Sequence, residues 1–249
     1  MIFKKLLFPL FLLFCSFFTH SNDISQIKDE YGNTIFFKSD MAYDQSIDII
    51  QQDKNGLKNF LFKLPYLAES PVIYFSYFRN IKGKGYYLIV SSTIKPGFNK
   101  TGIPYVDDYF SYYFFKLNNQ RYEFDQGLSD YFGEGGDIYD LNDINNDKVL
   151  YPNIIYSYPF KNRKDIDNEL DGVLFREWNS GSIKDGRIIN KTFFQDVPNY
   201  VQEERRYLIK GDKFKVKSIS ARWLEIVYKN PKGKYYTGWV LCKDTSICE

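Results

Sequence analysis

Along most of this chain, apolar and polar positions alternate in short runs bounded by Asn, Asp and Gly. Residues 34–38, 57–63, 72–77, 85–91, 109–117, 121–124, 153–158 and 172–178 are each rich in aromatic or β-branched side chains, which predicts strands. The polar link Asn118-Asn119-Gln120 predicts a hairpin, and Ile81-Lys-Gly-Lys-Gly85 is a similar loop between two such runs. Residues 43–62 alone carry some 3.6-residue spacing, irregular enough to predict at most one short helix. Sequential strands with short links predict a mainly β fold: an antiparallel, β-rich N-terminal domain built as a meander.

From Lys191 onward the alternation is cleaner. Phe214 and Val216 fall on one face of a strand and Lys213, Lys215 and Lys217 on the other, as in a half-buried strand with a solvated lysine face. Residues 223–228 form a second strand, Asn230-Pro-Lys-Gly233 a turn, and residues 234–240 a third strand. A polar break with Gly181 and Gly186 follows Trp178 and places a boundary near residue 187. The expected divisions are residues 1–21, 22–186 and 187–249.

Four pieces of the last division occur in a telling order: Thr192-Phe-Phe-Gln195 with Pro198, Tyr207-Leu-Ile-Lys-Gly-Asp212, Trp223-Leu-Glu-Ile-Val-Tyr228, and Thr237-Gly-Trp-Val240. Residues 190–243 thereby resemble the bacterial SH3-like domains of exported proteins, a family of small barrels. The resemblance implies a non-catalytic module that binds peptides or cell-wall glycan. Gly211-Asp212 suits a tight turn and Gly238 a close passage of backbone. Trp223 and Trp239 read first as core and second as ligand contacts.

The first residues alter the chemistry available to the rest. Lys4-Lys5, the apolar run 6–18 and the small residues Thr19 and Ser21 have the layout of a secretory signal cut after Ser21, with an uncleaved anchor as the alternative. That run is too short to cross a bilayer as a helix. Cys15 is a poor lipidation site because Phe14 before it is bulky. Cleavage removes His20, the single histidine, so Ser-His-Asp, Cys-His and His-based zinc chemistry leave with it. It also removes Lys4 and Lys5 but no acid, which brings the 33 Lys and Arg level with the 31 Asp and Glu. Balanced charge gives no electrostatic case for nucleic acid, and contact with a membrane is expected only through the signal before cleavage. Cys242 and Cys248 are then expected to form a disulfide that pins the C-terminus in a periplasmic or secreted protein.

Few motifs suggest reactivity. A calcium loop starting at Asp143 would place Asp143, Asn145 and Asp147 at its first, third and fifth positions. Lys148 then stands where the sharp turn wants Gly, and Ile154 where a bidentate Glu is needed, so the segment reads as an Asx-rich turn with no cofactor expected. Gly133-Glu134-Gly135-Gly136-Asp137 reads as a flexible acidic loop without a phosphate-binding pattern, although Glu134 and Asp137 supply the two carboxylates of a conceivable glycosidase. Asp165, Asp167, Glu169 and Asp171 read as a solvated loop before a strand, or more sharply as a docking edge for a basic partner.

The function expected from these features is that of an exported, non-catalytic binding protein of the bacterial envelope, with cell-wall glycan, a peptide or an envelope protein as its partner. The binding residues expected on the barrel are Tyr200, Tyr235, Tyr236 and Trp223, on or near loops 197–206, 220–222 and 229–234. Two alternatives stand beside it. One is an immunity or inhibitor protein that plugs the basic cleft of a wall-degrading toxin or lysozyme with Glu134, Asp137, Asp165, Asp167 and Glu169; the other is a hydrolase that uses carboxylates alone.

Overall fold

A computed structural model describes residues 25–39, 45–66, 69–95, 105–140, 153–200 and 206–248, apart from the Asp107 side chain. The signal-like segment 1–21 and the Asp143, Asn145 and Asp147 site lie outside the described residues. What is described is mainly β, in antiparallel sheets.

The first sheet is a meander of β1 (Ser25–Lys28), β2 (Thr34–Ser39), β3 (Ile47–Gln52) and β4 (Lys58–Leu64), in that order. The short helix expected within residues 43–62 is instead the β3–β4 hairpin. Buried Ile47, Ile49 and Gln51 alternate with half-exposed Asp48, Ile50 and Gln52, a period of two that suits a sheet with one buried face. Asp53 fixes the turn by accepting from the N–H groups of Asn55 and Leu57 at 2.8 and 2.9 Å, and Gly56 takes the positive φ of 87° that the turn requires.

The second sheet contains β5 (Val72–Ile81), β6 (Gly85–Ile94), β7 (Tyr105–Asn118), β8 (Arg121–Phe124), β9 (Glu134–Tyr139) and β10 (Ile154–Tyr156), with α1 (Gln126–Phe132) between β8 and β9. Its order is β10-β9-β7-β6-β5, and β8 pairs with β7. As expected, Asn119-Gln120 turns β7 into β8; both residues have positive φ, 47° and 67°, as in the two-residue hairpins whose twist matches the flanking strands. Strand β6 is covered on both faces, which explains its continuous apolar run. Leu88 and Val90 meet Ile35, Ile49 and Phe115 against the first sheet. Tyr87 and Ile89 join the larger core on the other side.

Residues 133–137 were expected to form a flexible loop, yet from Glu134 they belong to the interior strand Glu134–Tyr139. Its glycines serve close packing: a Cβ on Gly135 would lie 2.9 Å from the Tyr158 ring, and one on Gly136 2.8 Å from the Asp108 carbonyl. The acidic segment is also ordered, as α2 (Arg163–Asp171). Asn162 caps it by accepting from the Asp165 N–H, and the Asp165 carboxylate accepts back from the Lys161 N–H at 2.9 Å. Residues 172–178 form a helix rather than a strand, α3 (Val173–Asn179). Leu174, Phe175 and Trp178 share one face of it, and Trp178 packs on Tyr131 with ring centroids 4.4 Å apart.

The C-terminal part contains β11 (Asp185–Arg187), β12 (Thr192–Phe193), β13 (Tyr207–Leu208), β14 (Lys213–Ser220), β15 (Trp223–Lys229) and β16 (Tyr235–Leu241). One sheet runs β11-β14-β15-β16; β12 and β13 form a second pair that joins it through the Gln195–Trp239 bridge. The bridge needs Gly238, where a Cβ would stand 2.6 Å from the Gln195 carbonyl and 2.9 Å from the Phe194 ring. Cys242 and Cys248 are disulfide-linked with Cα atoms 5.5 Å apart. The tail between them bridges back to β11, with Ile188 paired to Thr245 and the Ser246 N–H donating to the Arg187 carbonyl at 2.9 Å. Hydrophobic packing is continuous across residue 187: Phe132, Ile166 and Phe175 belong to the same core as Phe214, Trp223 and Val240.

Candidate functional site

Where β10 meets the C-terminal sheet, two clefts of about 450 and 230 Å³ share Ile155, Leu241 and Lys243 in their walls. The larger is lined by Tyr156, Asp165, Glu169 and Arg222 among others. The smaller is lined by Lys191, Phe193, Gln195, Tyr200 and Trp223 among others. Aromatic faces, two lysines and an amide side chain thus surround one groove, a combination suited to gripping a polar ligand with apolar surfaces.

Trp223 is only 1% exposed, so the core reading of this residue fits its burial. Its indole N–H donates to the Tyr156 hydroxyl at 3.1 Å, which couples β15 to β10 at the base of the groove. Burial pushes the Tyr156 phenol up to about 12, opposed by the hydrogen bond it accepts from Trp223. Tyr200 is half-buried on the same groove. Its neighbour Asn199 donates to the Tyr105 hydroxyl at 2.6 Å and so fastens the loop to β7.

The four aromatic residues named from sequence do not converge. Tyr200 and Trp223 line one cleft. Tyr235 pairs with Lys229, whereas Trp223 pairs with Leu241 at the other end of the same hairpin. Six residues of strand span roughly 20 Å, which separates Tyr235 and Tyr236 from the groove. Tyr235 is 63% exposed with Lys229 Nζ 5.3 Å from its ring centroid, and Lys234 lies likewise 5.1 Å from Tyr236.

Loop 220–222 contributes Ala221 and Arg222 to the wall of the larger cleft but is tied into the fold. Ala221 is buried, its N–H donates to the Tyr131 carbonyl at 2.9 Å, and Arg222 reaches into Glu169. Both turn residues hold positive φ, 48° and 62°, a conformation that side-chain-bearing residues adopt at a cost and that the surrounding contacts sustain.

The acidic residues expected to form a plug or docking edge are engaged within the molecule. Glu169, 2% exposed, accepts from the Tyr131 hydroxyl and the Arg222 guanidinium. Asp167 accepts from Tyr77 and Arg79, and Arg79 also binds Asp171 at 2.6 Å. Asp137 accepts from the Tyr158 N–H at 2.9 Å and pairs with Lys161. Glu134 and Asp137 lie three residues apart on one strand, which sends their side chains to opposite faces instead of onto one bond.

Comparison of the chain with family models, curated proteins and solved structures finds no match. The site is therefore read from its own geometry. Among the described residues, no group of three or more His, Cys, Asp or Glu is placed to hold a metal ion, and no helix is long and apolar enough to cross a membrane.

Gln195 is the lining residue that the sequence reading missed. Strand alternation after Thr192 and Phe194 would point it outward, yet it is 1% exposed, because the bridge to Trp239 closes over it. No local pattern in Thr-Phe-Phe-Gln marks that burial.

Another cleft of about 490 Å³ lies between α1 and β14. Its polar side chains are largely committed: Ser129 accepts from the Phe114 N–H and donates to the Asp125 carbonyl, Gln126 donates to Asp130, and Ser218 donates to Glu225. The groove at β10 is the better candidate because it retains uncommitted polar groups.

Proposed function

We propose that this chain is an exported, non-catalytic binding protein of the bacterial envelope, whose C-terminal SH3-like region recognises a cell-wall glycan or peptide in the groove against β10. The observation that carries this reading is the shared wall of the two clefts, which joins Lys191, Phe193 and Tyr200 to Tyr156 and Lys243 on one surface. Aromatic faces and basic tips in one concave surface suit sugars and extended peptides. The two carboxylates of the larger cleft support binding over hydrolysis. Glu169 is held by Tyr131 and Arg222, while Asp165 is held by the cap of α2, so both are committed to the fold. The Cys242–Cys248 disulfide is compatible with an oxidising compartment.

The test is co-sedimentation of the mature protein with insoluble peptidoglycan, run beside a pull-down from envelope extract. Retention in the pellet that falls at least threefold in Tyr200→Ala, with Tyr235→Ala unchanged, supports the groove. A protein that stays in the supernatant and captures a stoichiometric protein partner instead transfers the function to an inhibitor of that partner.

A further inference from the structure

We infer that Gln195 forms an amide-recognition subsite at the inner end of the groove, which takes a ligand carrying a secondary amide: the acetamido group of an amino sugar or a peptide amide. This rests on the binding reading above and specifies what is bound.

Both polar atoms of the Gln195 side chain, Oε1 and Nε2, are buried without a hydrogen-bond partner. A buried carboxamide left unpaired gives up its hydrogen bonds to water without replacement, and native folds seldom leave one so. This molecule shows the contrast itself. Gln51 is equally buried, yet its Nε2 donates to Asn33 Oδ1 and the Gln120 carbonyl at 2.9 and 2.7 Å, and its Oε1 accepts from the Tyr122 N–H at 3.0 Å. The fold completes the hydrogen bonds of one buried glutamine and leaves the other open beside a cleft.

The backbone at Gln195 is fixed by a reciprocal bridge, with the Gln195 N–H donating to the Trp239 carbonyl at 2.8 Å and the Trp239 N–H donating back at 2.7 Å. The side chain therefore stands on a rigid base beside a cleft lined by Tyr200, Phe193 and Trp223. A carboxamide offers one acceptor and a donor, the complement of a secondary amide, which offers one donor and one acceptor. Aromatic walls beside it suit the flat apolar face of a pyranose or a peptide plane. The amide atoms are out of contact with solvent, so ligand entry entails a rotamer change among the lining side chains.

The experiment titrates the folded protein with three probes: chitotetraose, cellotetraose, which has the same linkage without acetamido groups, and acetyl-trialanine-amide. The expected result is binding of chitotetraose or of the peptide, or of both, with at least tenfold weaker binding of cellotetraose; the amide probe that binds identifies the source. Gln195→Met, similar in shape and unable to form these bonds, should lose at least tenfold in affinity for the bound amide probe while keeping its circular dichroism.

Gln195→Glu guards against a misfolded Met variant. A protonated buried carboxyl still donates and accepts, so this variant should bind the amide probe at low pH and lose it as the carboxyl ionises, whereas the parent protein shows no such step. Unchanged affinity in Gln195→Met, equal binding of cellotetraose, or a pH profile of Gln195→Glu that matches the parent would each overturn the subsite. If none of the probes binds yet the protein sediments with peptidoglycan, the subsite falls and the wider binding reading stands; if neither occurs, both fall.

Discussion

Arg222 closes on Glu169 from 53 residues away in sequence, its Nε 3.0 Å from the carboxylate, and so joins the β14–β15 turn to helix α2. Arg222→Ala leaves Glu169 buried with a single donor, Tyr131. Removing one partner of a fully buried pair costs about 3–5 kcal/mol; because the Arg222 side chain is 43% exposed, we expect about 2–3 kcal/mol, read as a lower urea midpoint at unchanged slope. Arg222→Lys should recover part of this. An unchanged midpoint for Arg222→Ala would show that the turn is held by backbone contacts alone.

High pH should destabilise the fold through its tyrosines. Burial raises the phenols of Tyr131 and Tyr158, and raises Tyr156 to about 12, all above the ordinary 10.0. Above pH 10.0 the unfolded chain releases these protons before the folded one does, so the native state holds more protons and stability falls as pH rises. The contribution is complete below pH 10.0 and drains through and beyond 12. Tyrosinate absorbance at 295 nm at pH 11 should be lower for native than for urea-unfolded protein, with the deficit vanishing when the fold is lost. Equal absorbance in both states would contradict the burial of these rings.

The β7–β8 hairpin offers a stabilising change. Gln120 holds φ 67° and uses only its backbone carbonyl, which accepts from Gln51. Glycine adopts this conformation without the penalty of about 1–2 kcal/mol borne by other residues, and Asn-Gly is the favoured pair for such a turn. Gln120→Gly should raise stability by about 1 kcal/mol, visible as a higher melting temperature. A decrease would mean that the Gln120 side chain does more than the geometry assigns to it.

Reduction of the Cys242–Cys248 bond should cost about 2 kcal/mol, the loop-closure entropy of a short loop. The loss should come with faster amide exchange at Ile189 and Asn190, because the tail supplies the Asp244 carbonyl to their N–H groups at 2.8 and 3.3 Å. Exchange that is unaffected by reductant would show that the tail stays docked without its crosslink.

The mainly β class and most strand positions were legible because aromatic and β-branched runs with Asn and Gly turns encode them locally. Strand β8 begins and ends at the expected residues, and β14 to β16 shift from expectation by a residue at most ends. Two of the misreadings share one cause. Helix α3 has strand-like composition but packs its Leu174, Phe175 and Trp178 face on Tyr131, and β9 has loop-like composition but owes its glycines to Tyr158 and Asp108. In both, partners distant in sequence override local preference. Within the groove, Tyr200 and Trp223 were legible as aromatics beside turns. Gln195 was not, because its burial is made by Gly238, some forty residues away, through a bridge that no local pattern announces.

The return of the C-terminal tail to β11 governs how this chain can mature. A ribosome or an export channel delivers the chain from its N-terminus, so the face of the second sheet that carries Tyr87, Ile89 and Phe114 emerges well before Thr245 closes over Ile188. Phe132, Ile166 and Phe175 of the helices join that core next, but the part of it that Phe214, Trp223 and Val240 complete stays open until β14 to β16 follow, the circumstance in which nascent proteins aggregate or are degraded. Chains stalled before Lys213, which lack β14 to β16, should consequently be better substrates of chaperones and proteases than chains that contain those strands.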